Sequence, residues 1–257
     1  MTSPTRRRLL GGALTGAAGA SLAGCDKLAA SPAVNEKLNA AEGLTFHVQR
    51  LLLGRAALAR EYPASAIAPD FRANGTTNPD SEEYQQHAAD GFKAWRLEIG
   101  GLVERPLSLS LDELRQAPSR AQITRHDCVE GWSSIAKWKG AKLGPLLDRA
   151  GVKPQARYVA FFCADTLELT LDGTGDYYET IDLADARHPQ TILAYEMNDR
   201  PLPVAHGAPI RLRLERQLGY KMAKYVMRIE LIDSFASLGQ GKGGYWEDRG
   251  YQWYAGI

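Results

Sequence analysis

The chain has 257 residues, 44% of them hydrophobic, with 31 basic and 30 acidic side chains and a formal net charge of +1. Because the basic and acidic side chains nearly cancel, the net charge provides no global attraction for nucleic acid or for an anionic membrane surface. Its length, about 230 residues once a leader is set aside, suffices for one substantial hydrophobic core.

The first 25 residues, MTSPTRRRLLGGALTGAAGASLAGC, have the pattern of an export signal. Arginines precede an apolar run that is too short for a spanning helix, and Arg6-Arg7 is typical of the twin-arginine route. Leu22-Ala23-Gly24-Cys25 resembles a lipobox, in which Cys25 is lipidated; later cleavage near LAASPA, leaving a soluble protein, is the alternative. We expect a periplasmic protein, anchored to the inner membrane if Cys25 carries the lipid.

Downstream of the signal, which spans residues 1–25, we predict a linker and helix over 26–62 and one domain over 63–257. Residues 31–44 are predicted as a polar linker, and residues 45–60, with apolar side chains at helical spacing, as a helix that Pro63 ends. Residues 63–91 hold many Pro, Gly and Asn residues and are predicted as an irregular loop.

From Trp95 onward, short strand and helix patterns alternate. Several strand candidates alternate apolar and polar residues, which favours a mixed or antiparallel sheet with one wet face and an α+β class. These segments are WRLEIGG, SLDELRQA, AQITRHD, LGPLLDRAG, RYVAFFCAD, LELTLDG, LADARH, TILAYEM, PIRLRLER and YVMRIELID.

Cys128 lies in RHDCVEGWSS, after the strand candidate AQITRHD. It fits a buried core cysteine, or a disulfide with Cys163 in an oxidising compartment. Arg125 and His126 would instead lower its pKa and favour a thiolate that binds a soft metal or attacks carbon, while Asp127 and Glu130 act in the opposite direction. No second Cys or His stands at a short zinc spacing. A Cys-His hydrolase with His206 as base stays an alternative.

The segment HGAPIRLRLERQLGYKMAKYV is rich in basic residues. Arg211 and Arg213 alternate with leucines, as on the solvated face of a strand. The other interpretation is an anion pocket, in which Gly207 and Gly219 permit close backbone approach and the cations meet a phosphate. No Walker or dinucleotide glycine pattern is present, so such an anion would not be an ordinary nucleotide.

Four segments together carry a family resemblance: HDCVEGWSSIAKWKGAKLGPLL, RYVAFFCAD, HPQTILAYEMNDRPLPVAHGAPIRL and GYKMAKYV. In this order they resemble the molybdopterin-binding domain of the sulfite oxidase superfamily, of the compact periplasmic type. The resemblance implies a mixed-sheet α+β fold, a molybdenum-molybdopterin cofactor and oxygen-atom transfer on a small sulfur-containing substrate, by sulfite oxidation or sulfoxide reduction. The electron partner it implies is a membrane haem b protein or a periplasmic cytochrome c.

The resemblance also implies roles for particular residues. Cys128 matches the thiolate ligand of molybdenum, with Arg125 beside it as a second candidate catalytic residue. Cys163 stands where a relative has a cofactor-contacting threonine, so a pterin contact and simple packing are both open. The candidate cofactor contacts are Phe71, Arg72 and Asn74 of DFRANG, Cys163, His206 and Arg211 of HGAPIR, and Lys221, Met222, Ala223 and Lys224.

The chain departs from the larger members of that superfamily in two respects. It carries neither an immunoglobulin-like dimerisation domain nor a C-x-x-C-H haem motif, so we expect a monomer that exchanges electrons with another protein. The aromatic tail GGYWEDRGYQWYAGI is expected to pack on the core. The alternative function is a cofactor-free periplasmic binding or scaffolding lipoprotein in which Cys128 and Cys163 form a disulfide.

Overall fold

The protein divides into two compact units, one reaching to Gly54 and one spanning Arg55–Ile257. The structure, a computed structural model, describes residues 31–54, 57–171, 173 and 175–257. The leader and Cys25 lie outside these residues, so the export signal and the lipid anchor stay predictions. Among the described helices, none combines the length and the apolar content that crossing a membrane requires.

Helix α1, Pro32–Leu53, is the described element of the first unit. The prediction of a linker over residues 31–44 is wrong, because Pro32 opens the helix at a position where its fixed φ and missing N–H carry no penalty. The helix also ends before residue 60, at Gly54, whose φ is +65°. The side chains of Leu44, Leu51 and Leu52 are exposed.

A second helix, α2, Glu82–Ala89, lies inside the segment predicted as an irregular loop. The Ser81 hydroxyl accepts a hydrogen bond from the Tyr84 backbone N–H at 3.4 Å, and Glu82 and Glu83 occupy the first turn, where carboxylates favour a helix. Tyr84 is fully buried and donates to the Ala208 carbonyl at 2.7 Å, which ties this helix to the body of the protein.

Two five-stranded sheets form the second unit. In the first sheet, β1 and β10 pair in parallel and the other pairs are antiparallel, in the order β2-β1-β10-β5-β6. These strands are β1 (Arg96–Gly101), β2 (Leu107–Ser110), β5 (Tyr158–Thr166), β6 (Asp176–Asp182) and β10 (Val226–Ile232).

The second sheet is antiparallel, in the order β3-β4-β7-β8, with β9 also pairing with β7. Three short helices connect the strands of the two sheets. The second-sheet strands are β3 (Ser119–Asp127), β4 (Ser133–Lys142), β7 (Ile192–Met197), β8 (Arg200–Pro201) and β9 (Arg211–Arg213). The helices are α3 (Leu111–Gln116), α4 (Leu143–Ala150) and α5 (Leu183–Ala186).

The hydrophobic core lies between the two sheets and α4. Leu97 and Ile99 of β1, Leu146 and Leu147 of α4, and Phe161 of β5 all belong to it and are buried. The predicted α+β class is confirmed. The prediction that one face of the sheet meets solvent fits strands such as β1, in which exposed and buried residues alternate. It does not fit β6, β7 and β9, which are buried along most of their length.

The segment LELTLDG was predicted as a strand and is not one. Thr166 pairs with Asp176, so the residues between them form the connection of the β5–β6 hairpin. Leu169 is 95% exposed there, although its spacing imitates the apolar side of a strand. The actual strand is the next segment, β6, whose side chains are mostly buried and therefore lack an alternating pattern.

We expect Gly140→Ala to lower the free energy of unfolding by about 1 to 3 kcal/mol, because added atoms in a packed interior force shifts of this cost. A Cβ at Gly140 would lie 2.2 Å from the Leu193 carbonyl oxygen, beside the irregularity in the β4–β7 pairing. Gly100→Ala in β1 is the control, since its Cβ would meet nothing within 4 Å. Urea unfolding of both variants tests this, and equal midpoints would contradict it.

Candidate active site

A cavity of about 450 Å³ opens in the second unit. Its walls come from residues 71–76, the β3–β4 loop, the end of β5, the turn before β9, residues 219–224 and residues 245–251. The volume is in the range of cofactor and substrate pockets and far exceeds that of a single ion.

The β3–β4 hairpin presents Cys128 to this cavity. Asp127 pairs with Ser133, so Cys128 begins the connecting loop. Its backbone N–H donates to the Trp132 carbonyl at 2.9 Å, and its carbonyl accepts from Gly131 at 3.0 Å. The Asn74 side-chain amide donates to the Cys128 Sγ at 3.3 Å. The sulfur is thus held in place by the turn and by one neutral donor.

The pKa of the Cys128 thiol is raised, mainly by burial, although the Glu130 backbone N–H and the Asn74 amide oppose this. The predicted lowering by Arg125 and His126 is wrong. Burial holds the pKa of His126 well below its usual value, and the Arg125 guanidinium binds Asp127. A thiol of raised pKa is a weak nucleophile, whereas a bound metal removes its proton outright. The site therefore favours the ligand role over the hydrolase.

Aromatic rings pack behind Cys128. The Phe71 ring makes edge contacts with Trp138 at 5.4 Å and with His206 at 5.6 Å, and lies 5.7 Å from His126. A Cβ at Gly219 would lie 2.3 Å from the His126 Nε2. Position 219 must therefore be glycine for the imidazole to take its place in the cavity wall.

Two cations, the buried Arg211 and the partly buried Lys224, line the same cavity. Arg211 Nη1 donates to the His206 carbonyl at 3.1 Å, while its Nε has no partner in the part of the chain that the structure describes. Lys224 Nζ donates to the Asn74 carbonyl at 2.8 Å and to the Thr76 carbonyl. The other acceptors of Lys224 are the Ala205 carbonyl at 3.4 Å and the Tyr225 hydroxyl at 3.5 Å, so both cations bond to uncharged groups.

The pKa values of both cations are low for their types. Burial, with repulsion from Arg213, lowers the pKa of Arg211 to about 9, and burial, with repulsion from Arg211, lowers the pKa of Lys224 to about 7. Gly207, with φ +108°, allows this crowding, because a Cβ there would lie 2.9 Å from Lys224 Cβ. A desolvated positive charge that has no bonded carboxylate is stabilised when an anionic group binds beside it.

Asp165, at the end of β5, is the buried carboxylate of the cavity wall. Burial raises its pKa to about 6, although Lys224 opposes the shift. Its Oδ1 has no hydrogen-bond partner among the described residues. The group can therefore hold a proton near neutral pH.

The family model for the oxidoreductase molybdopterin-binding domain matches residues 84–237. The chain belongs to this family. It is a molybdopterin-dependent oxidoreductase with the sulfite oxidase-type α+β fold that the sequence predicts.

Relatives match over most of the molybdopterin-binding chain. It is 38% identical over 253 residues to a putative protein-methionine-sulfoxide reductase subunit, YedZ1, of Azospira oryzae, covering 98% of this chain and 88% of the relative. It is 32% identical over 244 residues to the protein-methionine-sulfoxide reductase catalytic subunit MsrP of Ralstonia nicotianae, a match that covers 89% of this chain and 69% of the relative. Among solved structures, the chain is similar to the sulfane dehydrogenase SoxCD of Paracoccus pantotrophus, with 24% sequence identity and a TM-score of 0.49. The match covers 55% of this chain and 39% of the SoxCD chain, and no functional argument rests on it.

The residues of the cavity fit the family's molybdopterin cofactor. The unpartnered Arg211 Nε and the Lys224 ammonium suit the phosphate of the pterin, and the Cys128 sulfur is a soft donor for molybdenum. The close approach at Gly207 holds the two cations together at one side of the cavity.

The structure brings most predicted site residues to the cavity. Cys163 is half-buried, packs against the core and does not line the cavity, and Ala223 is buried outside it. The predicted residues that line it are Phe71, Arg72, Asn74, Cys128, His206, Arg211, Met222 and Lys224.

Two other predicted residues point elsewhere. Alternation along β3 exposes Arg125 and buries His126, so the candidate catalytic role of Arg125 is not supported and His126 lines the cavity instead. The Lys221 ammonium is fully buried between the carboxylates of Glu179 and Glu247, away from the cavity. Burial and the Glu247 charge raise the pKa of Glu179 well above its usual value.

The interpretation of Arg211 and Arg213 as a solvated strand face is wrong. Arg213 is 0% exposed, forms a bidentate ion pair with Glu215 and lies 4.4 Å over the Trp138 ring. Because β9 is buried on both faces, alternation with leucines does not mark a wet side here.

Sequence reasoning did not select several other cavity residues, among them Thr76, Asp165, Tyr177, Trp246 and Tyr251. Trp246 and Tyr251 stack with ring centroids 5.3 Å apart and form part of the wall, so the tail does more than pack on the core. Asp165 could have been found from RYVAFFCAD, where an acid follows a strongly apolar strand.

We expect Arg211→Met to reduce molybdopterin retention roughly ten- to a hundredfold, since a charge-assisted hydrogen bond in a buried site contributes about 1.5 to 3 kcal/mol. The free energy of unfolding of the cofactor-free protein should not fall, because no carboxylate loses its partner and the cost of burying the Arg211 charge is removed. Arg213→Met, which leaves Glu215 unpaired, should instead lower the unfolding free energy by about 3 to 5 kcal/mol. Cofactor content and urea unfolding are measured for both variants, to separate cofactor binding by Arg211 from structural ion pairing by Arg213. Equal cofactor content together with equal unfolding free energies in the two variants would contradict these roles.

Proposed function

We propose that this chain is the catalytic subunit of a methionine-sulfoxide reductase, which reduces the sulfoxide of oxidised methionine side chains to the thioether. The observation that carries the proposal is the placement of the Cys128 sulfur and the Arg211–Lys224 cation pair in one cavity. The names of its relatives from Azospira oryzae and Ralstonia nicotianae support the substrate and the direction.

The wall of the cavity suits a sulfur-containing substrate. Trp132, Trp246 and Tyr251 line it near Val129, the neighbour of Cys128. Sulfur of a methionine-like group makes favourable contacts with aromatic ring edges. The rival interpretation, a cofactor-free lipoprotein, has no support from its cysteines, because Cys128 and Cys163 are both free thiols.

A molybdenum cofactor bound in this cavity would supply the two-electron oxygen-atom-transfer chemistry of the reaction. Overall, the sulfoxide takes up two protons and two electrons, and the products are the thioether and water. Cys128, Arg211 and Lys224 of the chain would hold the cofactor, and Asp165, whose pKa burial raises to about 6, can take up and release a proton near neutral pH at a carboxyl group that lines the cavity.

The reaction also needs an electron donor. The sequence has no C-x-x-C-H motif for attaching a haem. We propose a haem protein as donor, either a membrane haem b subunit or a periplasmic cytochrome c. Tyr251 lines the cavity and is partly exposed, so the cavity is accessible from outside the protein.

We expect Cys128→Ser to lower sulfoxide reduction by more than about a hundredfold, since even changes outside the ligand set of a metal site cost about 10- to 100-fold. Cys163→Ser is the matched control and should retain activity, because its thiol does not line the cavity. The assay is methionine-sulfoxide reduction with a chemically reduced dye as donor, together with molybdenum content per chain. Full turnover by Cys128→Ser would refute the assignment.

We also propose that the protein is periplasmic and lipid-anchored through Cys25. The arginine-rich leader and the LAGC sequence support this address. Cys25→Ala should then move the protein from the membrane fraction to the soluble periplasmic fraction without loss of dye-coupled activity. Unchanged membrane association of the variant would count against the lipid anchor.

A further inference from the structure

A shallow groove of about 320 Å³ lies beside the cavity. Val129, Tyr220 and Tyr251 line both spaces, so the groove begins at the rim of the cavity. Beyond these three, Leu218, Tyr254 and Ala255 form its surface. Val129 is 46% exposed and Tyr251 is 38% exposed, which leaves the junction open to solvent.

The groove is held in shape by hydrogen bonds between its two sides. The Leu218 backbone N–H donates to the Ala255 carbonyl at 2.9 Å, and the Tyr220 hydroxyl donates to the Gln252 carbonyl at 2.6 Å. The Tyr220 and Tyr251 rings meet edge to face at 5.1 Å. A surface fixed in this way binds a ligand without first having to order itself.

The residues that line the groove are uncharged and largely apolar. They offer no ionic attraction to nucleic acid or to an acidic docking patch. Tyrosines supply a large apolar area at low conformational cost. This chemistry suits a stretch of neutral polypeptide.

We propose that the groove binds the main chain flanking an oxidised methionine of a polypeptide substrate, while the sulfoxide side chain enters the cavity between Val129 and Tyr251. The inference rests on the proposed function. A methionine sulfoxide inside a polypeptide always brings its neighbours, which need a surface continuous with the reaction cavity. The groove supplies that surface, and a free amino acid leaves it unused.

The test compares two substrates on the molybdenum-loaded enzyme with a reduced dye as donor. One is a peptide with a single methionine sulfoxide flanked by neutral residues; the other is free methionine sulfoxide. Tyr254→Ala and Leu218→Ala should each lower kcat/KM for the peptide about tenfold, a typical effect of removing an interface anchor. The value for the free amino acid should stay within about twofold of wild type.

Leu58→Ala is the matched control, since Leu58 is exposed and lines neither the cavity nor the groove. A variant enters the comparison only if its molybdenum content matches that of the wild-type enzyme. If only one of the two groove variants meets this condition, that variant alone is enough to test the proposal. Equal losses on both substrates, or no loss on the peptide, would overturn the groove assignment. A loss seen only with a haem donor would assign the groove to the electron partner and overturn it as well. Wild-type enzyme inactive on both substrates would instead refute the proposed function.

Discussion

Two cations that share no bonded carboxylate, the buried Arg211 and the partly buried Lys224, set the main constraint on this protein. Both are desolvated, Arg211 repels Lys224, and both bond to neutral oxygen atoms. The cost of desolvating them is offset elsewhere in the fold, by the core between the sheets. An anionic cofactor removes that cost, so binding and stability are linked: the holo protein should be the more stable form by mass action.

The same chain contains a second arrangement of buried charge with the opposite solution. Arg213 is neutralised by Glu215, and Lys221 by Glu179 and Glu247. Neither pair lines the cavity, and they hold β9, β6 and the 219–224 turn in place. The paired cations therefore support the site, whereas Arg211 and Lys224, which have no bonded carboxylate among the described residues, line the cavity.

The sequence predicted the class of fold, the thiol at a strand end and the basic anion site, because these depend on local patterns and on residue chemistry. It did not predict the burial of Arg213 or the exposure of Leu169, since alternation reports a period and not which side meets solvent. The sequence also did not predict the hydrogen-bond partners of the Lys221 side chain, Glu179 and Glu247, which lie 42 and 26 residues away in the chain. Such contacts follow from tertiary packing, and short motifs carry no information about them.

The ion pair between Lys221 and Glu247 bears on the timing of assembly. Cys128, Arg211 and Lys224 are all translated before residue 245, yet Tyr245, Trp246 and Tyr251 complete the cavity wall. A nascent chain that has emerged only through Lys224 lacks this late part of the wall, and its Lys221 lacks one of its two carboxylates. The cavity wall is therefore complete only when the late segment has docked on the earlier turn.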